Sequence, residues 1–155
     1  MRVTPPSPKR KKSPRTELKI ALQMERAVGR QRPICPVCNL PIIEAMEMHE
    51  VFLTKGDVQG TPEEVQELIN CRENCVLLHP KCHQVAQFEL RGSLACMHQL
   101  ILFNGYDRIF GWLTLMQEQM KSKKPAQTIV LLNQLVNQLQ RTRFEQEVFS
   151  AKNWV

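Results

Sequence analysis

Two short spacers, far apart in the chain, constrain this sequence more than anything else in it: Cys35-Pro-Val-Cys38 and His79-Pro-Lys-Cys82. Each sets two soft ligands two residues apart, the spacing at which a tight turn lets both close on one tetrahedral ion. Together they supply three thiolates and one imidazole, the donor set of a structural zinc site. A fold that uses them must bring residue 35 beside residue 82 and close everything between into a metal-stapled loop. Three of the four histidines, His49, His79 and His83, lie inside this span or directly after it.

The chain has six cysteines. Ligand spacers with an interleaved histidine fit metal binding in a reducing compartment better than they fit disulfides. Cys71 and Cys75 form a further spacer that could supply ligands, but Cys75 reads as an inward strand residue, where a free thiol packs as a small hydrophobe. Cys96 and His98 fall outside the spacers and read as packing residues. No apolar run approaches the roughly 18 residues of a membrane span, and the basic start lacks an apolar signal core, so a soluble, non-secreted protein without membrane contact is expected.

The 155 residues suit one domain with appendages, and the net charge of +6 is unevenly placed. Residues 1–32 carry ten Lys/Arg against Glu17 and Glu25, whereas the remainder carries eleven against thirteen acidic residues. Within that start, Pro5, Pro6, Pro8 and Pro14 bracket Lys9, Arg10, Lys11 and Lys12, a composition that predicts a disordered arm. A mobile cationic arm can follow a phosphate backbone without reading sequence, so Lys9, Arg10, Lys11, Lys12 and Arg15 are the expected DNA contacts.

The pattern divides the chain into a flexible basic arm over residues 1–15, a helix over 16–32 capped by Thr16, a core over 33–92 and a helical region over 93–155. Met46 to Phe52 alternates as a strand does. Thr61-Pro62-Glu63-Glu64 predicts a helix capped by Thr61 and running to Asn70. Cys75 to Leu78 reads as a second strand, and Pro80 opens a helix that continues through Leu90 and is closed by Gly92. Further helices are expected over Leu94–Phe103, Arg108–Met120 and Thr128–Val148, with Asn104-Gly105 between the first two. In the last, Ile129, Leu132, Val136 and Leu139 form a stripe that either packs on the chain's own core or makes a homodimer seam. Trp112 reads as core. The fold class is α+β, mainly helical: a small zinc-stapled ββα core with flanking helices.

The order of these elements resembles the HNH (His-Asn-His) endonucleases, whose fold is called ββα-metal. Asn74-Cys-Val-Leu-Leu-His79-Pro-Lys-Cys82-His83 resembles the family's signature at every motif position, with His79 where Cys is commoner. Glu47-Met-His49-Glu50-Val51 resembles the first-strand pattern of two polar residues followed by an aliphatic one. The resemblance covers residues 35 to 88, about a third of the chain. It implies a second, harder cation, Mg²⁺ or Mn²⁺, between His49 and His83, distinct from the zinc held by Cys35, Cys38, His79 and Cys82. It also implies water activated from the first strand, a cation that stabilises the leaving 3′ oxygen, and a 5′-phosphate product.

By the same resemblance Asn74 braces the loop after the first strand, with Asn70 as a competing candidate. The family places the metal ligand first and a general-base histidine second on the strand, positions held here by His49 and Glu50. The alternative slides the roles, with His49 as base and Glu47 or Glu50 binding metal; strand alternation opposes that one-residue slip. The expected function is metal-dependent endonuclease cleavage of DNA, nicking or cutting both strands through mainly phosphate-backbone contacts. The location would be cytoplasmic in a bacterial or phage-infected cell, or nuclear in a eukaryote; isolated modules of this kind look like those of phages and mobile elements. Glu50 in the base position keeps open a zinc-stabilised DNA-binding or assembly module that does not cleave. A structural zinc protein that self-associates through its C-terminal helices is a third possibility.

Overall fold

The computed structural model describes residues 11–27 and 32–152, with side chains as far as Arg141. Lys9 and Arg10 lie outside the described residues, as do residues 28–31; the helix expected over 16–32 ends earlier, at Glu25. The chain is α+β and mainly helical, with a two-stranded antiparallel sheet among the described residues.

The first helix, α1, spans Pro14–Glu25. It starts before Thr16 because Ser13 is the cap: its hydroxyl accepts the Thr16 N–H at 3.3 Å, and Pro14 occupies a turn whose N–H groups have no helical partner. Arg15 therefore belongs to a helix, not to the arm. Past α1, residues 34–41 form a knuckle closed by Cys35 N–H to Leu40 O at 2.9 Å and Asn39 N–H to Cys35 O at 2.8 Å. Asn39 takes the left-handed conformation, φ +58°, which Asn tolerates better than most residues.

Strand β1 (Glu47–Glu50) pairs with β2 (Cys75–Leu78), setting Glu47 opposite Leu78 and His49 opposite Val76. It is shorter than the alternation over 46–52 suggests, because the chain turns after Glu50 into a loop held by Asn74. All four β2 side chains are buried, since α1 and a later helix, Leu90–Asn104, both contact this strand. On β1, alternation puts Glu47 and His49 on one face and Met48 and Glu50 on the other. Met48 enters the core.

Helix α2 is short, Glu63–Glu67. Thr61 does not cap it; the Thr61 hydroxyl donates instead to Val58 O at 2.6 Å, and Pro62 takes the cap position without a side-chain bond. The expected extension to Asn70 is replaced by turns that lead into β2. Helix α3 (Pro80–Phe88) starts with proline in its first turn and follows β2 directly, completing the ββα unit. It ends at Phe88, short of the expected Leu90: Glu89 is extended, and α4 (Leu90–Asn104) begins immediately. Gly92 lies in the first turn of α4, pressed on α3.

Gly105, at φ +80°, separates α4 from α5 (Tyr106–Gln119), a conformation that suits glycine. The long α6 (Lys124–Lys152) packs against α5 through buried Thr128, Leu132 and Leu135, with Ile129, Val136 and Leu139 at the margin. The expected stripe thus meets the chain's own core. Trp112 is buried and its Nε1–H donates to Leu68 O at 3.0 Å. The core also holds Arg26, which donates to the Arg72 and Cys75 carbonyls and lies 4.8 Å from the Phe103 ring centre. Burial lowers its affinity for a proton, and these carbonyls answer its charge.

Candidate functional site

The knuckle carries Cys35 and Cys38 to the point where β2 gives way to α3. There His79 is the cap residue of α3 and Cys82 stands in its first turn. The four ligand atoms of Cys35, Cys38, His79 and Cys82 all lie within 4.8 Å of one another. Two thiolates about 2.3 Å from a tetrahedral ion stand about 3.8 Å apart, so the spread suits a single metal such as zinc. His79 Nε2 is 3.1 Å from Pro41 O, which can only accept. That bond puts the His79 proton on Nε2 and leaves Nδ1, 3.3 Å from Cys38 Sγ, as the free donor to an ion.

The thiols divide as a crowded set must. Burial alone would raise Cys35, but hydrogen bonds led by those from the backbone at Cys38, His79 and Val37 bring it down to about 7. Desolvation, followed by the charges of Cys35 and Cys38, pushes Cys82 up to about 12. One thiolate forms readily and opposes the next until a cation binds among them.

A second cluster occupies the opposed faces of β1 and α3. His49 Nδ1 and His83 Nε2 are 3.2 Å apart, with the rings edge to face at 73°. Glu47, two residues before His49 on the same strand face, contacts His83 Nδ1 through its carboxylate. Strand alternation and the α3 turn bring these three side chains together. Cys82 and His83, adjacent in sequence, face different sites because one helical step turns a side chain by about 100°. Burial first, and then the neighbouring His83, lower the His49 pKa to about 4. His49 is thus neutral at physiological pH, with a ring nitrogen lone pair available.

Glu50 does not join this cluster. It takes the Met48 face of β1, where one oxygen pairs with Arg15 Nη1 at 2.6 Å and the other accepts the Lys55 N–H at 2.8 Å. Its side chain is only 13 % exposed and lines a cleft of about 380 Å³ shared with Arg15, Lys55 and Asn70. Strand alternation sets that face, and Arg15 of α1, which also donates to Met48 O at 3.2 Å and Asn70 Oδ1 at 3.2 Å, holds the carboxylate there. Arg15, though exposed, spends its guanidinium on these partners, while Lys11 and Lys12 are also exposed.

Asn74 is fully buried and its amide addresses only backbone. Oδ1 accepts from Phe52 and Leu53 N–H at 2.9 and 3.0 Å, and Nδ2 donates to Leu53 and Ile69 carbonyls at 2.7 and 3.0 Å. It fixes the turn after β1 and hence the direction in which His49 points. Asn70 has no such hold on that loop. Cys71 and Cys75 stay apart from the metal set; burial raises both thiols, Cys75 to about 12. Cys96 is buried, but His98 is exposed, contrary to the packing role expected of it, because it lies on the outer face of α4. The role of Glu47 beside His83 was open from sequence; alternation from His49 was the signal that placed both on one face.

No family model, curated protein or solved structure matches this chain.

Proposed function

We propose that this protein is a metal-dependent endonuclease of the HNH type that hydrolyses phosphodiester bonds of DNA. The observation that carries the reading is the facing pair His49 and His83 on a ββα unit, beside a separate Cys3His set. Two nitrogens about 2.1 Å from one cation, at angles between about 90° and 109°, stand about 3.0–3.4 Å apart, and the 3.2 Å between these two falls within that range. His49 and His83 are therefore assigned as the ligands of the reactive cation, Mn²⁺ or Mg²⁺, and Cys35, Cys38, His79 and Cys82 as the ligands of a structural zinc. Only two protein ligands leave room for water and a phosphate oxygen. When bound, the cation supplies charge stabilisation at the scissile phosphate and the leaving oxygen.

The chain's own residues contribute position. Asn74 holds the β1 turn, the neutral His49 ring offers a lone pair at pH 7, and the zinc set fixes the start of α3 and so the direction of His83. Exposed Lys11 and Lys12 at the mouth of α1 continue the basic run of Lys9 and Arg10, and support phosphate attraction without sequence readout.

The test is conversion of supercoiled plasmid to nicked or linear forms with Mn²⁺ or Mg²⁺. His83→Ala is expected to reduce the rate at least about 100-fold while zinc content stays at one per chain. Equal cleavage by the variant would remove His83 from the site. One observation favours a second reading: Glu50, in the family's base position, is tied to Arg15. DNA retention with no cleavage in any divalent cation would support a zinc-stabilised binding module instead.

A further inference from the structure

We propose that Glu47 is a positioning residue, holding His83 in the tautomer that carries its proton on Nδ1 so that the Nε2 lone pair faces His49. The statement about the ring stands on the local geometry; its consequence for a cation rests on the nuclease reading above.

The inference follows from what each group can donate. An ionised carboxylate has no proton to give, so the contact between Glu47 and His83 Nδ1 requires the proton on Nδ1. A neutral imidazole has only one, and Nε2 is then an acceptor. In the ion-free pair the donor across the 3.2 Å gap is then His49 Nδ1–H, and a cation that takes the place of this hydrogen requires His49 to carry its proton on Nε2 instead. A relay results: the Glu47 carboxylate accepts from His83, and His83 accepts from His49. The two His83 bonds require one tautomer of that ring, and Glu47 selects it. Without Glu47 the His83 ring is free to carry its proton on Nε2, and His83 as well as His49 must then change tautomer before a cation can sit between them.

The same geometry separates Glu47 from direct ligation. Its oxygen contacts Nδ1, whereas a cation shared with His49 meets Nε2 on the other side of the ring. The carboxylate would have to release His83 to reach the ion. A carboxylate that orients a histidine and raises its basicity belongs to the outer shell of a metal site, and loss of such a partner typically weakens metal binding about 10–100-fold. The sequence supplies the placement directly. Glu47 and His49 are two residues apart on one strand face, and α3 lays His83 across both.

The experiment uses the full chain loaded with zinc and free of other divalent cations. Long-range ¹H–¹⁵N correlation of the imidazole rings at pH 8 reads the tautomer. In the wild type His83 is expected to be protonated on Nδ1 alone, and in Glu47→Ala to shift to Nε2–H. A titration with Mn²⁺ followed by electron paramagnetic resonance should show affinity reduced about 10–100-fold in Glu47→Ala. Glu47→Gln retains an accepting oxygen and should keep the Nδ1–H tautomer, with a smaller loss of affinity, and it serves if the alanine variant folds poorly. A wild-type His83 carrying a proton on Nε2, alone or together with Nδ1, overturns the proposal. So does an unchanged tautomer or Mn²⁺ affinity in Glu47→Ala. A protein that never cleaves DNA yet shows the tautomer shift would discard the nuclease reading and leave the role of Glu47 intact.

Discussion

Replacing Asn74 by alanine would remove four hydrogen bonds from one buried position, leaving the Phe52 and Leu53 N–H groups and the Leu53 and Ile69 carbonyls to find other partners. An orphaned buried group costs about 1–3 kcal/mol, and the four share one loop and do not add, so a total of about 3–5 kcal/mol is expected. Urea unfolding of the zinc-loaded variant measures this, with Asn70→Ala, at a half-buried amide, expected within about 1 kcal/mol of wild type. Glu50 gives the sharper functional test. Were it the base, Glu50→Gln would lower cleavage about 10²–10⁴-fold. Its engagement by Arg15 and the Lys55 N–H, on the strand face away from His49, predicts instead that cleavage stays within about tenfold of wild type, although glutamine keeps only one of the two accepting oxygens. A plasmid-nicking rate for this variant as low as that of His83→Ala would return Glu50 to the catalytic centre.

At the scale of elements, the junction of α3 and α4 is where local signals and packing part company. Glycine after a helix is an ordinary stop signal, and Gly92 follows a run of helical residues. Its actual function is contact: a Cβ on Gly92 would lie 2.3 Å from the Val85 carbonyl oxygen and 2.5 Å from its carbon. Because both are backbone atoms, they cannot swing aside, and Gly92→Ala should cost about 1–3 kcal/mol through overpacking, read as a lower thermal midpoint with zinc content unchanged. The order β1, β2, α3 was legible because ligand spacing, strand alternation and the proline at residue 80 are local. The helix starts were less so: Thr16 offers the same chemistry as Ser13, and the Thr61 hydroxyl is spent on the turn before α2, which leaves Pro62 in the cap position. Which carboxylate would meet His83 was half legible. Alternation groups Glu47 with His49, but the partner that claims Glu50 arrives from α1, thirty-five residues away in sequence, and no period reveals it.

Over the whole molecule, the ββα core is also fastened to the C-terminal helices by charge. Lys124, the first residue of α6, donates to both oxygens of Asp57 at 2.8 and 2.9 Å, and Asp57 in turn accepts from the Thr54 N–H and hydroxyl. One carboxylate thus closes the loop after β1 and anchors the far helix. Burial alone would raise its pKa, but Lys124 and Thr54 together hold it below the usual carboxylate range. The unfolded chain therefore binds the proton more tightly than the folded one. It follows that Asp57 contributes fully above its unfolded value, about 3.9, and loses that contribution as the pH falls through the lower folded value. Lys124 is 43 % exposed, so solvent screens its share, and Asp57→Asn should cost about 1–2 kcal/mol at pH 7. Urea unfolding of wild type and variant should show a constant gap from pH 8 to about 5 that narrows only below about 4. Release of zinc by acid affects both proteins equally and cancels in the difference. A gap that closed between pH 6 and 7 would point to a histidine as the titrating group and detach Asp57 from the anchor.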